Sequence, residues 1–226
     1  MCYHTKLTAD AISVAKRMKA EFLEADTFTP YKEVNGFTFP QTPVVRFDDR
    51  KTIHMYEWGL LADYLTYNRK DKNSPEAKKA RAGCLNARIE ELEEKASYKK
   101  KIGNRCLVAM DGMYEWQWAN PDANKSAKTK YLVTKPDDSV FCAAGLFTEW
   151  KDPSTGLITY CYTIVTTEAN TLMKEVHNNG ERMLVVLNPD EYEKWLDPKV
   201  PHMAFWDRSH IELKATPLEP KQASLF

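Results

Sequence analysis

Hydrophobic residues recur along the chain with two different periods, and each change of period marks an element. Across residues 8–25, Ile12, Ala15, Met18 and Phe22 fall on one helical face, which predicts an amphipathic helix with Thr8 as its N-cap. Beyond Pro40, residues 43–47 and 52–58 are rich in β-branched and aromatic side chains around Asp48 and Asp49, the pattern of a hairpin. Residues 66–82, charged and containing Pro75, read as an exposed loop leading into a short helix. Four further apolar runs, 105–110, 130–134, 140–146 and 159–166, predict strands separated by polar breaks, the longest of which includes 119–128. Helices are expected over 89–96, 168–176 and 189–196, the last with Asn188 as N-cap and Pro189 at its first position. The elements mix without strict alternation. The order therefore predicts an α+β fold: a single domain over 1–226, with a mixed, mainly antiparallel curved sheet or open barrel flanked by helices.

Composition narrows the class. A chain of 226 residues with 43% hydrophobic content can bury a sizeable core. Its first apolar stretch, 11–23, is interrupted by Lys16, Arg17, Lys19 and Glu21, which fits neither a signal peptide nor a membrane span. The chain reads as cytoplasmic and monomeric, without a membrane partner. Cys2, Cys84, Cys106, Cys142 and Cys161 form no CxxC pair, so they read as reduced thiols rather than a disulfide framework or a zinc site, and no metal or cofactor is expected. A formal net charge of zero argues against coating nucleic acid by bulk electrostatics. Between residues 65 and 105, however, twelve Lys/Arg, Arg69 and Lys70 among them, face six Asp/Glu, which leaves room for a local basic face.

Cys2 brings chemistry into the picture. An initiator methionine before a small residue is normally removed, and the exposed residue would then carry a thiol and a free α-amine on adjacent carbons. The amine titrates near ~7.7–8.0 and the thiol near ~8.5, so a fraction of each is nucleophilic at neutral pH. Such a 1,2-aminothiol condenses with an aldehyde to a five-membered thiazolidine; position alone equally suits a cysteine lying by chance near a frayed terminus. Asn86-Ala87-Arg88 precedes a predicted helix, where Asn86 would cap and Arg88 would be solvated. In the run 111–116, Glu115 stands between Tyr114 and Trp116. Its carboxyl either faces water or is desolvated into the range useful for acid/base work. His177, at the end of a predicted helix, suits either a cation on the helix dipole or a proton shuttle. Trp58 ends a strand, as core or as a stacking platform for a base.

Taken together, Cys2, Asn86-Ala87-Arg88, Asp111-Gly112-Met113-Tyr114-Glu115-Trp116, and His177 with Arg182-Met183 stand in the order and rough spacing of the SOS response-associated peptidase (SRAP) family. The chain resembles that family over about residues 2–200. The resemblance implies a sensor of abasic sites in single-stranded DNA that shields the lesion by a thiazolidine cross-link through its N-terminal cysteine, with autopeptidase and DNA lyase activity beside it. It implies that Cys2 attacks the aldehyde of the ring-opened sugar and that Asn86 orients the terminal residue. Glu115 would manage protons on the α-amine, and His177 would serve ring opening and dehydration. Arg88 and Arg182 resemble phosphate contacts, and Trp58 and Leu60 a wedge against the bases. The chain departs from the pattern at Tyr3, His4 and Thr5, where Gly-Arg-Phe is usual; an arginine contact is lost there, a role open to His4. Leu184 replaces a usual proline, and the aromatic that usually follows the Trp-Gly segment has no clean match beyond Tyr64 or Tyr67. Three alternatives stand: an N-terminal-cysteine amidotransferase, in which glycine rather than Tyr3 typically follows the cysteine; a thiol autopeptidase removing only Met1; and a noncatalytic DNA-binding module, disfavoured by the neutral charge.

Overall fold

A computed structural model describes residues 2–67 and 71–218; the removal of Met1, the charges of Arg69 and Lys70, and the side chain of Tyr67 lie outside what it describes. In chain order the strands are β1 (His4–Leu7), β2 (Glu21–Phe22), β3 (Tyr31–Asn35), β4 (Gln41–Arg46), β5 (Thr52–Trp58), β6 (Asn86–Arg88), β7 (Arg105–Met110), β8 (Gly112–Trp118), β9 (Lys128–Thr134), β10 (Phe141–Lys151), β11 (Ile158–Glu168), β12 (Arg182–Leu184), β13 (Val186–Leu187) and β14 (Lys214–Leu218). The helices are α1 (Ala11–Met18), α2 (Asp63–Tyr67), α3 (Pro75–Ala82), α4 (Thr171–Val176) and α5 (Tyr192–Leu196). None of the described helices is long and apolar enough to cross a membrane.

Two sheets result. One is antiparallel in the order β14-β9-β8-β1-β3. The other runs β12-β11-β10-β7-β4-β5-β2, and a parallel pairing of Cys161 with Glu57 and Tyr162 with Trp58 joins β11 to β5. That pairing closes β5, β4, β7, β10 and β11 into a ring. The fold is α+β and mainly antiparallel, with a closed barrel where the sequence left the choice between a curved sheet and an open one.

The continuous apolar runs have a cause in this arrangement. Cys106, Val108 and Met110 of β7 enter a core with Trp58 and Met113, while the intervening Leu107 and Ala109 enter a second core with Val14 of α1 and Trp195 of α5. A strand buried on both faces loses the apolar/polar alternation of a half-buried one. The hairpin forms as expected, with Val45 of β4 opposite Ile53 of β5.

Local competition corrects several expectations. The first helix covers only Ala11–Met18, because Asp10 caps it by accepting from the Ser13 N–H over 2.7 Å and Lys19 ends it at φ 55°. Thr8 cannot cap it: its N–H and hydroxyl bond Asp111 Oδ2 at 2.7 and 2.8 Å. Met18 packs as its period predicts, but Ile12, placed on the same face, is 80% exposed, and Val14 packs in its stead. Residues 89–96 form only a 3-10 turn, Ile89–Glu91, since Asn86–Arg88 is drawn into parallel pairing with β11. The start of the 168–176 helix is delayed: β11 runs to Glu168, and Asn170 caps α4. Over 189–196, a 3-10 turn capped by Asn188 and Glu191 leads into α5.

Candidate active site

Strand β8 sets the site through its alternation. Met113 and Glu115 project to the same face, and that face is interior: they are 0% and 3% exposed. The acidic residue thus points into an apolar core rather than into water. Beside β8 lies β1, whose His4 pairs with Tyr114 on one side and Asn35 on the other. The Gly36 N–H also donates to Tyr3 O over 2.8 Å, which fixes the chain just ahead of β1. Cys2 is carried by this register into the core that holds Met113, Tyr162 and Val176.

The Cys2 thiol donates to His4 O over 3.3 Å. Burial, reinforced by the Glu115 carboxylate, pushes it well above the ordinary thiol range, so it rests protonated. Asn86, expected as a helix cap, is instead a strand residue whose Nδ2 donates to Cys2 O over 2.7 Å. Its backbone carbonyl accepts from the Tyr98 hydroxyl at 3.3 Å, while its Oδ1 is buried without a hydrogen-bond partner.

Burial pushes the Glu115 carboxyl up to about 7, against a smaller opposing effect of the Cys2 thiol. His177 caps the C-terminus of α4, its N–H bonded to Met173 O at 2.8 Å. The Arg182 N–H donates to His177 Nδ1 over 3.1 Å, so the neutral ring carries its proton on Nε2, which lies 3.9 Å from Glu115 Oε2. Burial pushes the imidazole down to about 4, which counts against the cation on the helix dipole. Gly180, at φ +130°, gives the ring its room: a Cβ there would stand 3.1 Å from His177 Cε1. A carboxyl pushed up to about 7, an N–H donor and a thiol thus lie buried together, a set able to pass protons to and from a bound electrophile. Among the described residues no three His, Cys, Asp or Glu are grouped to hold a metal ion.

The remaining candidates separate by burial. Trp58 is 0% exposed, donates from Nε1 to Leu85 O over 2.8 Å and packs on Gly36; Leu60 is likewise enclosed. Neither presents a surface to a base, which corrects the wedge assignment: Trp58 at the end of β5 and Leu60 just past it are each consumed by a hydrophobic core. An aromatic surface beside Cys2 is Tyr3, its ring tilted 39° to that of the exposed Phe37 at 4.8 Å, which a sequence without obvious pairing partners conceals. Arg182 is also buried, in a two-pronged bond to Glu90 at 2.6 and 2.9 Å. Arg88 is half-exposed and meets Glu91 at 3.1 Å. The two arginines line a cleft of about 340 Å³ with Lys174, Glu168, Gly180 and Glu181, beside the His177 ring. Glu90 and Lys174 escaped the sequence reading; the one available signal was the place of Glu90 two residues after Arg88. His4 is paired with Glu33 at 2.8 Å and edge-on to Trp116, so it is not free to replace the missing arginine.

Comparison with known proteins places this geometry. The family model described as SOS response associated peptidase (SRAP) matches residues 1–220. The chain is 35% identical over 145 residues to the abasic site processing protein YoqW of Bacillus subtilis, covering 63% of this chain and 56% of that protein. It is 32% identical over 155 residues to the abasic site processing protein HMCES of Xenopus tropicalis, covering 62% and 43%. The chain spans about half the length of these curated relatives. A solved structure from Bacteroides thetaiotaomicron superposes with a TM-score of 0.82 at 27% identity, over 96% of this chain and 92% of the other. One from Bordetella bronchiseptica superposes at 0.74 and 18% identity, over 97% and 100%, a likeness of fold.

Proposed function

The chain belongs to the SOS response associated peptidase family, and from that premise we propose that it senses abasic sites in single-stranded DNA and bonds to them through Cys2. The observation that carries the reading is the convergence of Asn86, Glu115 and His177 on the Cys2 residue. Two matched relatives are named abasic site processing proteins. With Met1 removed, the α-amine adds to the aldehyde of the ring-opened sugar, and the carbinolamine loses water to give a Schiff base. The Cys2 sulfur then adds to the imine carbon while the thiol proton passes to nitrogen, closing a thiazolidine; one water leaves in all. Glu115 accepts and returns the protons of the amine and thiol, as a carboxyl pushed up to about 7 can do in either direction. His177 Nε2–H donates to the sugar ring oxygen during opening and to the departing hydroxyl during dehydration. Arg88 and the cleft beside it hold the flanking phosphates.

Intact-mass analysis with abasic single-stranded DNA tests this. The expected product is the Met1-free chain plus the oligonucleotide less one water, stable without reductant. Absence of that mass, or an equally stable product with Cys2→Ala, overturns the proposal. A second reading follows from the family's description as a peptidase: the same groups cleave the Met1–Cys2 bond. Retention of Met1 in a Glu115→Gln chain would support it, and complete removal would exclude it. Diversion of the Schiff base to strand cleavage would appear in the same experiment as a shortened oligonucleotide.

A further inference from the structure

Tyr3 follows the reactive residue directly, at a position where the family pattern has glycine, and none of the roles above uses its ring. Burial, then the Glu115 and Cys2 groups, push its hydroxyl up, so a neutral phenol stands within the field of the reactive pair. Its ring meets that of Phe37 at 4.8 Å and a tilt of 39°, and Phe37 is 48% exposed. Cys2 itself is 2% exposed. A sugar that bonds to Cys2 therefore enters the interior, while its neighbours along the strand stay outside, next to an aromatic surface.

Local structure holds that surface in place. Phe37 rides on a 3-10 turn, Gly36–Thr38, that follows β3. Asn35 Oδ1 accepts from the Phe37 N–H over 3.0 Å, and the Thr38 hydroxyl donates to Asn35 O over 2.7 Å. The Gly36 N–H, donating to Tyr3 O, ties the same turn to the residue after Cys2. Phe39 ends the turn at φ 54°, with the Arg81 guanidinium 4.1 Å from its ring. Beneath lies Trp58: a Cβ at Gly36 would stand 3.1 Å from its indole, so glycine lets the turn settle there. Trp58 is thus the floor of the turn, and the ring that meets solvent is one layer further out, at Phe37. A ring ordered in advance loses little freedom when a ligand stacks on it. Every base offers a π-face, and stacking needs no particular hydrogen-bond pattern.

We propose that Tyr3 and Phe37 form a stacking platform for the unpaired base that flanks the lesion, a subsite that Tyr3 creates where the family pattern has glycine. The proposal rests on the abasic-site reading above and adds which part of the strand is gripped. Purines, with the larger face, are favoured over pyrimidines beside the lesion.

Two oligonucleotides test it. One carries a reactive abasic site between adenines; in the other both neighbours are baseless tetrahydrofuran sugars. Single-turnover adduct formation is followed against protein concentration. Phe37→Leu and Tyr3→Leu keep apolar bulk without the π-face. Each is expected to raise the half-saturating concentration roughly tenfold on the first oligonucleotide and less than about twofold on the second. Phe37→Trp is expected to restore the first value. A second probe needs no chemistry: single-stranded DNA with 2-aminopurine beside a tetrahydrofuran sugar. Its fluorescence is expected to be quenched by the unaltered chain and by Phe37→Trp, but not by Phe37→Leu at saturation. An equal loss on both oligonucleotides, or quenching that Phe37→Leu leaves intact, overturns the platform. Phe37-dependent quenching with no adduct on any DNA would overturn the abasic reading and leave the stacking subsite in place.

Discussion

Asn86 Nδ2 donates to the carbonyl oxygen of Cys2 over 2.7 Å, while its own Oδ1 is buried and unpartnered. One amide group thus anchors Cys2 and keeps a buried acceptor of its own unpartnered. Asn86→Ala removes that anchor and strands a buried carbonyl, a cost of about 1–3 kcal/mol. The expected outcome is slower single-turnover adduct formation and lower thermal stability. Asn86→Asp is expected to react more slowly still, since a carboxylate would face the Cys2 carbonyl. An Asp variant as fast as wild type would remove Asn86 from the mechanism.

Glu115 provides a pH test whose sign is fixed. Its carboxyl moves from the ordinary 4.5 to about 7, so as a base it is lost as pH falls below about 7 and adduct formation slows with it. Glu115→Gln is expected to lose roughly 10²-fold in rate and to lose that limb of the profile. Stability runs the other way. A carboxyl raised on folding contributes stability that is present below 4.5 and lost as pH rises through 7, because the buried charge must then form. His177, lowered from 6.5 to about 4, contributes stability present above 6.5 and lost as pH falls towards 4. That contribution is common to wild type and Glu115→Gln, so it largely cancels in their difference. The Tm of Glu115→Gln minus that of wild type should therefore increase from pH 5 to pH 8; a flat difference would show that the carboxyl does not titrate in this range.

Sequence made some of this arrangement legible and concealed the rest, for physical reasons. The hairpin and β7 were readable because their apolar side chains have no local competitor. The closing pairing of Tyr162 with Trp58 joins residues far apart in the chain, and no short-range pattern encodes it. Thr8 and Asn86 both look like caps, yet each is drawn off by a distant partner, Asp111 and Cys2. Glu115 was recognisable as a candidate from its aromatic neighbours, but only the pairing of β8 with β1 shows that it faces inward. The wedge at Trp58 and Leu60 failed because a large apolar side chain at a strand end reads the same whether it lies against a base or in a barrel.

Gly180 tests the placement of His177 without replacing either His177 or Glu115. Alanine there meets both a φ of +130° and an imidazole carbon 3.1 Å from its Cβ. The strained backbone costs about 1–3 kcal/mol, and the ring must shift from its place 3.9 Å from Glu115. Gly180→Ala is expected to slow adduct formation while affinity for abasic-free single-stranded DNA stays near wild type. Loss of DNA binding with an unchanged reaction rate at saturation would place the defect in the cleft rather than in the imidazole.

The two arginines assigned to phosphate differ in how far they are already committed. Arg182 spends both terminal nitrogens on Glu90, at 2.6 and 2.9 Å, and donates again to Thr166 O at 3.0 Å. Arg88 has a single carboxylate at 3.1 Å and stands half in solvent. An exposed pair contributes little to stability, about 0–1 kcal/mol, whereas removing the partner of a buried charge costs roughly 3 kcal/mol. Arg88→Ala should therefore weaken single-stranded DNA binding and reduce its salt slope by about one charge, with the denaturant midpoint unchanged. Glu90→Gln should lower the midpoint clearly. If Glu90→Gln instead kept full stability and tightened DNA binding, Glu90 would be a gate over a phosphate site at Arg182, and the structural role given to that pair would fall.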